Sequence, residues 1–308
     1  MNPLLATLGS KLTERWLNLL VLPGALFLAV TAVGTTLGHR HWHDVDRLRT
    51  ALDDLAARPA LDRTGTAALL VALVLLAAAA ASLGAQFLGG AIERYWLRFG
   101  GDPLSRALTR WRRRRWTQRD EKVEEALARA VTTGDAADGE VTVPAGDWAS
   151  IQALTGARDR IAVRVPARPS WYGDRMQAVA DRVEAAYGAD LAALWPRLWL
   201  ILPEPAGRQI QSARDSFGAA ARLAAWAVGY ALLACWWWPA ALAAVGCAVA
   251  ARSRARSALD GLAELVEAAV DVHGRELAAR VGLIAPDSVG LLAGDTGDRM
   301  SEIFRKAG

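Results

Sequence analysis

The sequence predicts a mainly α, four-helix transmembrane protein: two hairpins joined to a mostly helical cytoplasmic lobe that contains a small β element. Three observations carry this reading. The chain is 53% hydrophobic yet 22% charged, and the two kinds of residue are segregated into blocks. Long uncharged stretches reach or exceed the roughly 20 residues that cross a hydrocarbon core. Lys and Arg gather at one end of each stretch, the bias that marks cytoplasmic flanks. The expected divisions are a hairpin over 1–92 with an outside loop 39–65, a cytoplasmic Arg-rich α(+β) region 93–215, a second hairpin 216–252, and a cytoplasmic amphipathic helix and tail 253–308.

The first uncharged stretch runs from Trp16 to Gly38, between Arg15 and His39. At about 1.5 Å per residue it covers about 34 Å, and Pro23-Gly24 bends it near one end. Its apolar run exceeds the roughly 7–15 residues of a signal-peptide core, and no A-x-A-like cleavage site follows. The second stretch, Thr64 to Ile92, is almost all Leu, Val and Ala from Leu69 to Ser82. A helix apolar on every side needs either a large core or lipid around it, and a chain of this length does not build so large a core.

The third stretch, Leu223 to Ala251, is long for one span and short for two. Trp236-Trp237-Trp238-Pro239 lies near its middle, and proline breaks helices while tryptophan collects at membrane–water interfaces. The reading is a tight hairpin that starts near Ser216, with Arg222 snorkelling outward, and ends at Arg252. A single tilted, kinked helix is the alternative. Charge decides between them. Lys11 and Arg15, then Arg94 to Arg115, then Arg252, Arg254 and Arg256 flank the stretches, whereas residues 39–65 balance five arginines with five aspartates. An even number of crossings places every basic flank, and both termini, in the cytoplasm. Trp16, Trp42 and Trp96 at helix ends, with Trp236, Trp237 and Trp238 at the turn, form an interface belt. The arginine-heavy, Ala- and Gly-rich composition points to a bacterial cytoplasmic membrane.

After Gly100-Gly101, Asp102 reads as an N-cap with Pro103 at N1, opening a helix to about Val131. It carries Arg110, Trp111, Arg112, Arg113, Arg114, Arg115 and Trp116. Consecutive arginines point all round a helix, so contact with anionic lipid headgroups outranks a nucleic-acid stripe. Residues 132–170 turn rich in Gly, Asp, Pro and Thr, with β-like pieces Glu140–Val143 and Ile161–Val165 that suggest a small hairpin or irregular lobe. A helix then starts at Gly173-Asp174, with Met176, Val179, Val183 and Tyr187 on one face, and Gly188 ends it. Asp190 caps the next, in which Leu191, Leu194, Trp195, Leu198, Trp199 and Leu202 share a face. Pro196 kinks that helix, which is expected in the interface or packed under the bundle.

The string Tyr187-Gly188-Ala189-Asp190, followed by Trp195-Pro196-Arg197-Leu198-Trp199-Leu200 to Pro203, resembles a motif of uncharacterised bacterial multipass membrane proteins. In those proteins the motif precedes a transmembrane hairpin, and a later helix resembles Leu265 to Gly282 with its Ala269-to-His273 stretch. The resemblance covers about the last half of the chain and implies no activity.

The C-terminal helix, about Ser257 to Val281, is amphipathic through Leu262, Leu265, Val266, Ala269, Val270 and Leu277. The tail after Pro286 is expected to be loosely held. Gly-Asp-Arg-Met occurs at Gly173 and again at Gly297, which reads as coincidence or shared capping.

Candidate chemistry is sparse. His39, His41 and His43 alternate, followed by Asp44 and Asp46, so an extended segment sets three rings on one side and a zinc or copper site, or a pH sensor, is conceivable. His273 with Glu276 one turn away is a surface pair. No HExxH, GxSxG, Walker or CxxC pattern occurs, the two cysteines both lie in an apolar stretch, and no cofactor is expected. The apolar helices hold no Asp, Glu, Lys or His, which argues against an ion-coupled carrier. Ala77, Ala81 and Ala85, or Ala80 and Gly84, with Gln86 as the one strong amide, give small-residue spacing for close helix packing and a homo-oligomer. The expected function is a non-enzymatic scaffold, sensor or oligomeric assembly whose lobe binds a cytoplasmic protein. A pore-forming effector is one alternative. A membrane enzyme acting on lipid or cell-envelope substrates through Asp174, Arg175 and Glu204 is another. Nucleic acid is not an expected partner.

Overall fold

The computed structural model describes residues 21–57, 64–98, 100–133, 135–137, 140–142, 145–286 and 288–306. Among them are ten helices: α1 (Leu22–Leu37), α2 (Val45–Ala56), α3 (Thr64–Leu97), α4 (Pro103–Thr133), α5 (Ala145–Asp159), α6 (Trp171–Tyr187), α7 (Leu191–Ile201), α8 (Glu204–Leu233), α9 (Ala240–Arg280) and α10 (Gly294–Arg305). The chain divides into two compact units, one formed by Met1–Glu93 with Ser216–Ala255, the other by Arg94–Asp215 with Arg256–Gly308.

The first unit brings α1, α3, α8 and the start of α9 together. Residues Ala78, Ser82 and Ala85 of α3 are buried, and small residues there let backbones meet. A Cβ on Gly24 of α1 would lie 1.9 Å from the Ala78 carbonyl oxygen, and one on Gly89 would lie 2.9 Å from Arg222 Cα. The seam is therefore Ala78, Ser82, Ala85 and Gly89. It shares Ala85 with the expected one and is otherwise rotated from it: Ala77, Ala80, Gly84 and Gln86 are exposed and Ala81 is half-buried. A second cluster holds Tyr230, Leu233, Ala240 and Ala244 against Phe27, Val30 and Trp237.

Among the described residues two helices are long and apolar enough to cross a membrane, Gly65–Leu97 and Glu204–Leu233. The expectation of four spans is overturned. The described part of the first, α1, has 16 residues, about 24 Å at about 1.5 Å each, which falls short of a hydrocarbon core of about 30 Å. The last arm begins at Ala240 and meets Arg252 after about 18 Å. α9 does not stop there, and the helix expected to start near Ser257 is its continuation. Of the apolar window in α3, 11% is buried. Leu69, Val71, Leu73, Leu76 and Phe87 all face outward. Each such side chain left in water forgoes about 1–2 kcal/mol of burial.

In the second unit the core is Val179 and Val183 of α6, Leu194 and Leu198 of α7, Ala263, Val266, Val270 and Leu277 of α9, and Met300 of α10. The apolar stripe predicted for α9 is this core face. Arg182 Nε and Nη2 reach the Glu267 carboxylate at 2.8 and 2.5 Å, and Arg175 Nε reaches Asp260 at 2.7 Å. α5 packs along α4 with Ala126, Ala130 and Ile151 in a small separate cluster.

The two β-like pieces expected over Glu140–Val143 and Ile161–Val165 do not pair with each other, and the second forms no strand. Ile161–Val165 is turn and bend, with the Ile161 and Ala162 carbonyls bonded to Arg112 and Trp116 of α4. Glu140–Thr142 joins only a three-residue antiparallel pair with Asp135–Ala137. Three helices lie where irregular structure was expected: α2 in the presumed outside loop, α5 within 132–170, and α10 in the supposedly loose tail. Met300 at the centre of α10 is fully buried.

Candidate functional site

The densest polar cluster among the described residues gathers where α3 ends. α4 starts at Pro103, after Asp102, whose Oδ1 accepts a 2.8 Å hydrogen bond from Ser105 Oγ. That bond chiefly holds the Asp102 carboxyl below its ordinary range. Arg112, Trp116 and Arg119 then fall on one face at helical spacing, turned toward the segment that follows α5. Arg112 Nη1 donates to the Arg168 carbonyl and to Asp174 Oδ2, both at 2.6 Å, and its Nη2 donates to the Ile161 carbonyl at 2.5 Å. Arg113 Nε donates to Pro166 O at 2.7 Å, Trp116 Nε1 to Ala162 O at 2.8 Å and Arg119 Nη1 to Ala157 O at 2.7 Å. Arg256 Nη2 donates to Arg160 O at 2.6 Å and its guanidinium lies 4.7 Å over Trp171. One loop thus has its carbonyls held by three arginines and a tryptophan.

Asp174 closes the arrangement. Its Oδ1 accepts the amides of Ala167 and Arg168 at 2.9 and 2.8 Å, while Oδ2 holds Arg112. Both side chains of that ion pair are about one-tenth exposed. A buried charge needs such a set of partners, since neither Arg nor carboxylate tolerates unpaired burial. Arg168, also buried, donates to the Leu97 carbonyl at 3.2 Å and to Gln177 Oε1. Burial lowers its pKa, against the pull of Asp174 and Asp181. Ser170 Oγ donates to the Trp96 carbonyl and accepts Gly173 N at 3.0 Å as the N-cap of α6. Trp96 stacks on Tyr172 with ring centroids 4.5 Å apart. The last carbonyls of α3, orphaned as at any helix end, are therefore capped by Arg168 and Ser170, with a cation at the negative end of the helix dipole.

The residues predicted for headgroup contact divide. Arg112 and Trp116 are buried in this knot and Arg113 is tied to Pro166. Arg110, Trp111, Arg114 and Arg115 face outward, with Arg115 lying 4.8 Å over the Trp111 ring. Periodicity could not separate them, because the partners of the inner three lie in a loop that the sequence leaves undefined. Arg168, Ser170 and Asp174 are the residues whose role was missed. The one signal was the Gly-Asp-Arg-Met string, where a Cβ on Gly173 would sit 2.7 Å from Arg168 Cδ.

Its second copy marks another joint. A Cβ on Gly297 would lie 1.8 Å from the Tyr187 carbonyl oxygen. Gly188 turns the chain with a left-handed φ of 63°. Asp190 then accepts Ala192 N and the Arg305 guanidinium, and its amide donates to Ser301 Oγ at 2.8 Å. The Arg305 hydrogen bond is the main reason the Asp190 carboxyl titrates low. Tyr187 Oη donates to Asp271 at 2.8 Å, and burial first, then that acceptor, pushes the phenol up to about 12. The Tyr-Gly-Ala-Asp string is thus the seat of α10.

At the far end of α1, His39 Nε2 donates to Cys235 O at 2.9 Å and Nδ1 accepts Trp238 N at 3.2 Å. His41 Nδ1 accepts from Arg47 at 3.1 Å. Among the described residues no group of three His, Cys, Asp or Glu side chains is disposed to hold a metal. His39 binds backbone, His41 binds an arginine, and His43 lies edge to face with Trp42 at 5.2 Å. Trp42 and Trp238 meet edge to face at 5.0 Å and remain partly exposed beside Trp236. Trp237 is tucked against Gly34, and Trp16 lies outside the described residues. Asp174, Arg175 and Glu204 do not converge: their partners are Arg112, Asp260 and Arg208 respectively. His273 pairs with Glu276 on the surface at 3.2 Å.

Comparison with family models, with curated proteins and with solved structures finds no match to this chain.

Proposed function

We propose that the chain is a non-enzymatic membrane protein, a scaffold or sensor held in the bilayer by α3 and α8, with its second unit serving as a cytoplasmic lobe that binds a partner protein. The observation that carries the reading is the apolar surface of α3, exposed on almost every side over a window of mean hydropathy 2.5. Water would penalise that surface at about 25 cal/mol per Å², and lipid removes the penalty. Arg94 in the last turn of α3, Arg98, Arg106 and Arg110 after it, and Arg252, Arg254 and Arg256 on α9, favour a cytoplasmic lobe and C terminus. A bacterial inner membrane suits the arginine-heavy composition. Within the lobe each buried ionic group is spent on holding backbone, which favours a rigid platform over a catalytic cleft. Exposed Ala77 and Gly84 leave room for self-association.

The test is a fractionation. The full chain is expected to remain in the membrane pellet after carbonate washing, to need detergent for a monodisperse state, and to present residues 100–200 to cytoplasmic labelling reagents only. A monodisperse chain in plain buffer, or labelling of that region from outside, would overturn the reading.

A further inference from the structure

We infer that the loop 160–166 is a bilayer-contact element in which Val163 and Val165 enter the interface of an anionic membrane while Arg160 and Arg164 meet its phosphates. This rests on the proposed membrane placement and names a lipid site distinct from the Arg110–Trp116 run. Three observations support it. Val163 and Val165 are 51% and 54% exposed, with buried Ala162 and Pro166 on either side. β-branched residues turned outward on a loop are not explained by its own packing. Arg160 and Arg164 are exposed, and the one ion pair of Arg164, to Asp181, is long at 3.7 Å and open to solvent. Apolar and cationic side chains together on one element suit the headgroup boundary.

The second observation is rigidity. The carbonyls of Arg160, Ile161, Ala162 and Pro166 are each taken by Arg256, Arg112, Trp116 and Arg113. These four bonds hold the backbone on both sides of Val163–Val165, and a preordered loop loses little entropy on contact. The third is location. Two residues beyond the loop, Arg168 holds the carbonyl of Leu97, and Ser170 holds that of Trp96, the last residues of a candidate span. The loop is thereby tied to the point where α3 would leave the bilayer.

The experiment uses the full chain with Cys235 and Cys247 replaced by Ser. Single cysteines at Val163→Cys, Val165→Cys and, as an aqueous reference, Ser150→Cys carry an environment-sensitive fluorophore. Each protein is reconstituted into phosphatidylcholine vesicles with and without phosphatidylglycerol. Flotation with the vesicles is scored first. The expected result is a blue shift at 163 and 165, larger with phosphatidylglycerol, and quenching by doxyl-labelled lipid but not by iodide. The label at 150 should show the reverse. Arg164→Glu should abolish the phosphatidylglycerol dependence while circular dichroism stays unchanged. Iodide-accessible labels at 163 and 165 in a protein that floats would overturn the inference and leave the membrane placement intact. Labels shielded from both quenchers would mean a protein covers the loop, and would also overturn it. A chain that fails to float would remove both.

Discussion

Replacing Asp174 by Ala should be the most damaging single change to the lobe. Three hydrogen bonds end on its carboxylate, from Arg112 Nη1 at 2.6 Å and from the amides of Ala167 and Arg168 at 2.9 and 2.8 Å. The substitution leaves Arg112, itself about one-tenth exposed, as a buried charge with only carbonyl partners. Removing one member of a buried ion pair costs about 3–5 kcal/mol, and two orphaned amides keep the effect at the upper end. For a unit of this size each kcal/mol moves the melting temperature by roughly 2–4 °C, so a fall of about 10–20 °C is expected. The assay is thermal unfolding in detergent micelles, with limited proteolysis reporting cleavage inside 160–170. Arg112→Met combined with Asp174→Ala should be less destabilised than the sum of the two single changes, by about 2 kcal/mol, since the residues share contacts. A loss below about 1 kcal/mol for Asp174→Ala, or strict additivity, would refute the reasoning, because the pair would then behave as a surface salt bridge.

Other expectations follow from the same geometry. Gly297→Ala sets a methyl 1.8 Å from the Tyr187 carbonyl oxygen, and such overpacking costs about 1–3 kcal/mol; proteolysis should release a C-terminal fragment from the variant and not from the parent, and equal resistance would count against α10 being seated there. Gly24→Ala, aimed at the Ala78 carbonyl at 1.9 Å, should loosen α1 from α3, read as faster cross-linking of a cysteine on α1 to maleimide. Glu267 titrates low chiefly because Arg182 donates to it. A depressed carboxylate contributes stability above its unfolded pKa and loses it as pH falls through the folded value; the lobe should therefore weaken below about pH 4.5, and Arg182→Met should flatten that slope in melting curves taken between neutral and acid pH. Tyr187, held up to about 12, should remain protonated after ordinary tyrosines have ionised, giving a late step in a 295 nm titration that Asp271→Asn moves to lower pH; a titration complete by about pH 11 contradicts the Tyr187–Asp271 hydrogen bond.

Much of the lobe's helical framework could be read from local chemistry. Asp102 before Pro103, Gly188 after Tyr187 and Asp190 before Leu191 signal helix ends by capping alone, and no tertiary knowledge is needed to place them. The spacing of Val179 and Val183, or of Leu262, Val266 and Val270, gives the buried face directly. Span number could not be read the same way. Hydropathy counts uncharged residues, whereas crossing depends on where a helix stops, and α9 continues unbroken past Arg252. The rotation of the α3 seam from Ala77 and Gly84 to Ala78, Ser82 and Gly89 was illegible for a related reason. In a helix made of Ala, Leu and Gly, several small-residue registers are equivalent until a partner such as Gly24 selects one. The knot was hidden because its members, Arg112, Arg168 and Asp174, are distant in sequence, and runs of arginine advertise solvent and lipid before they advertise a core. The metal reading of His39, His41 and His43 assumed an extended strand, but these residues lie in turns between α1 and α2.

The capping of α3 has a consequence for synthesis. Ser170 and Arg168 lie 74 and 71 residues downstream of the carbonyls they satisfy. A ribosome adding about 5–20 residues per second needs roughly 4–15 s to deliver them. During that interval the end of the helix has only water or headgroups to bond, and a nascent chain stalled before residue 168 has no means of finishing it. Completion of this helix end thus waits for the arrival of a serine and an arginine that belong to the lobe.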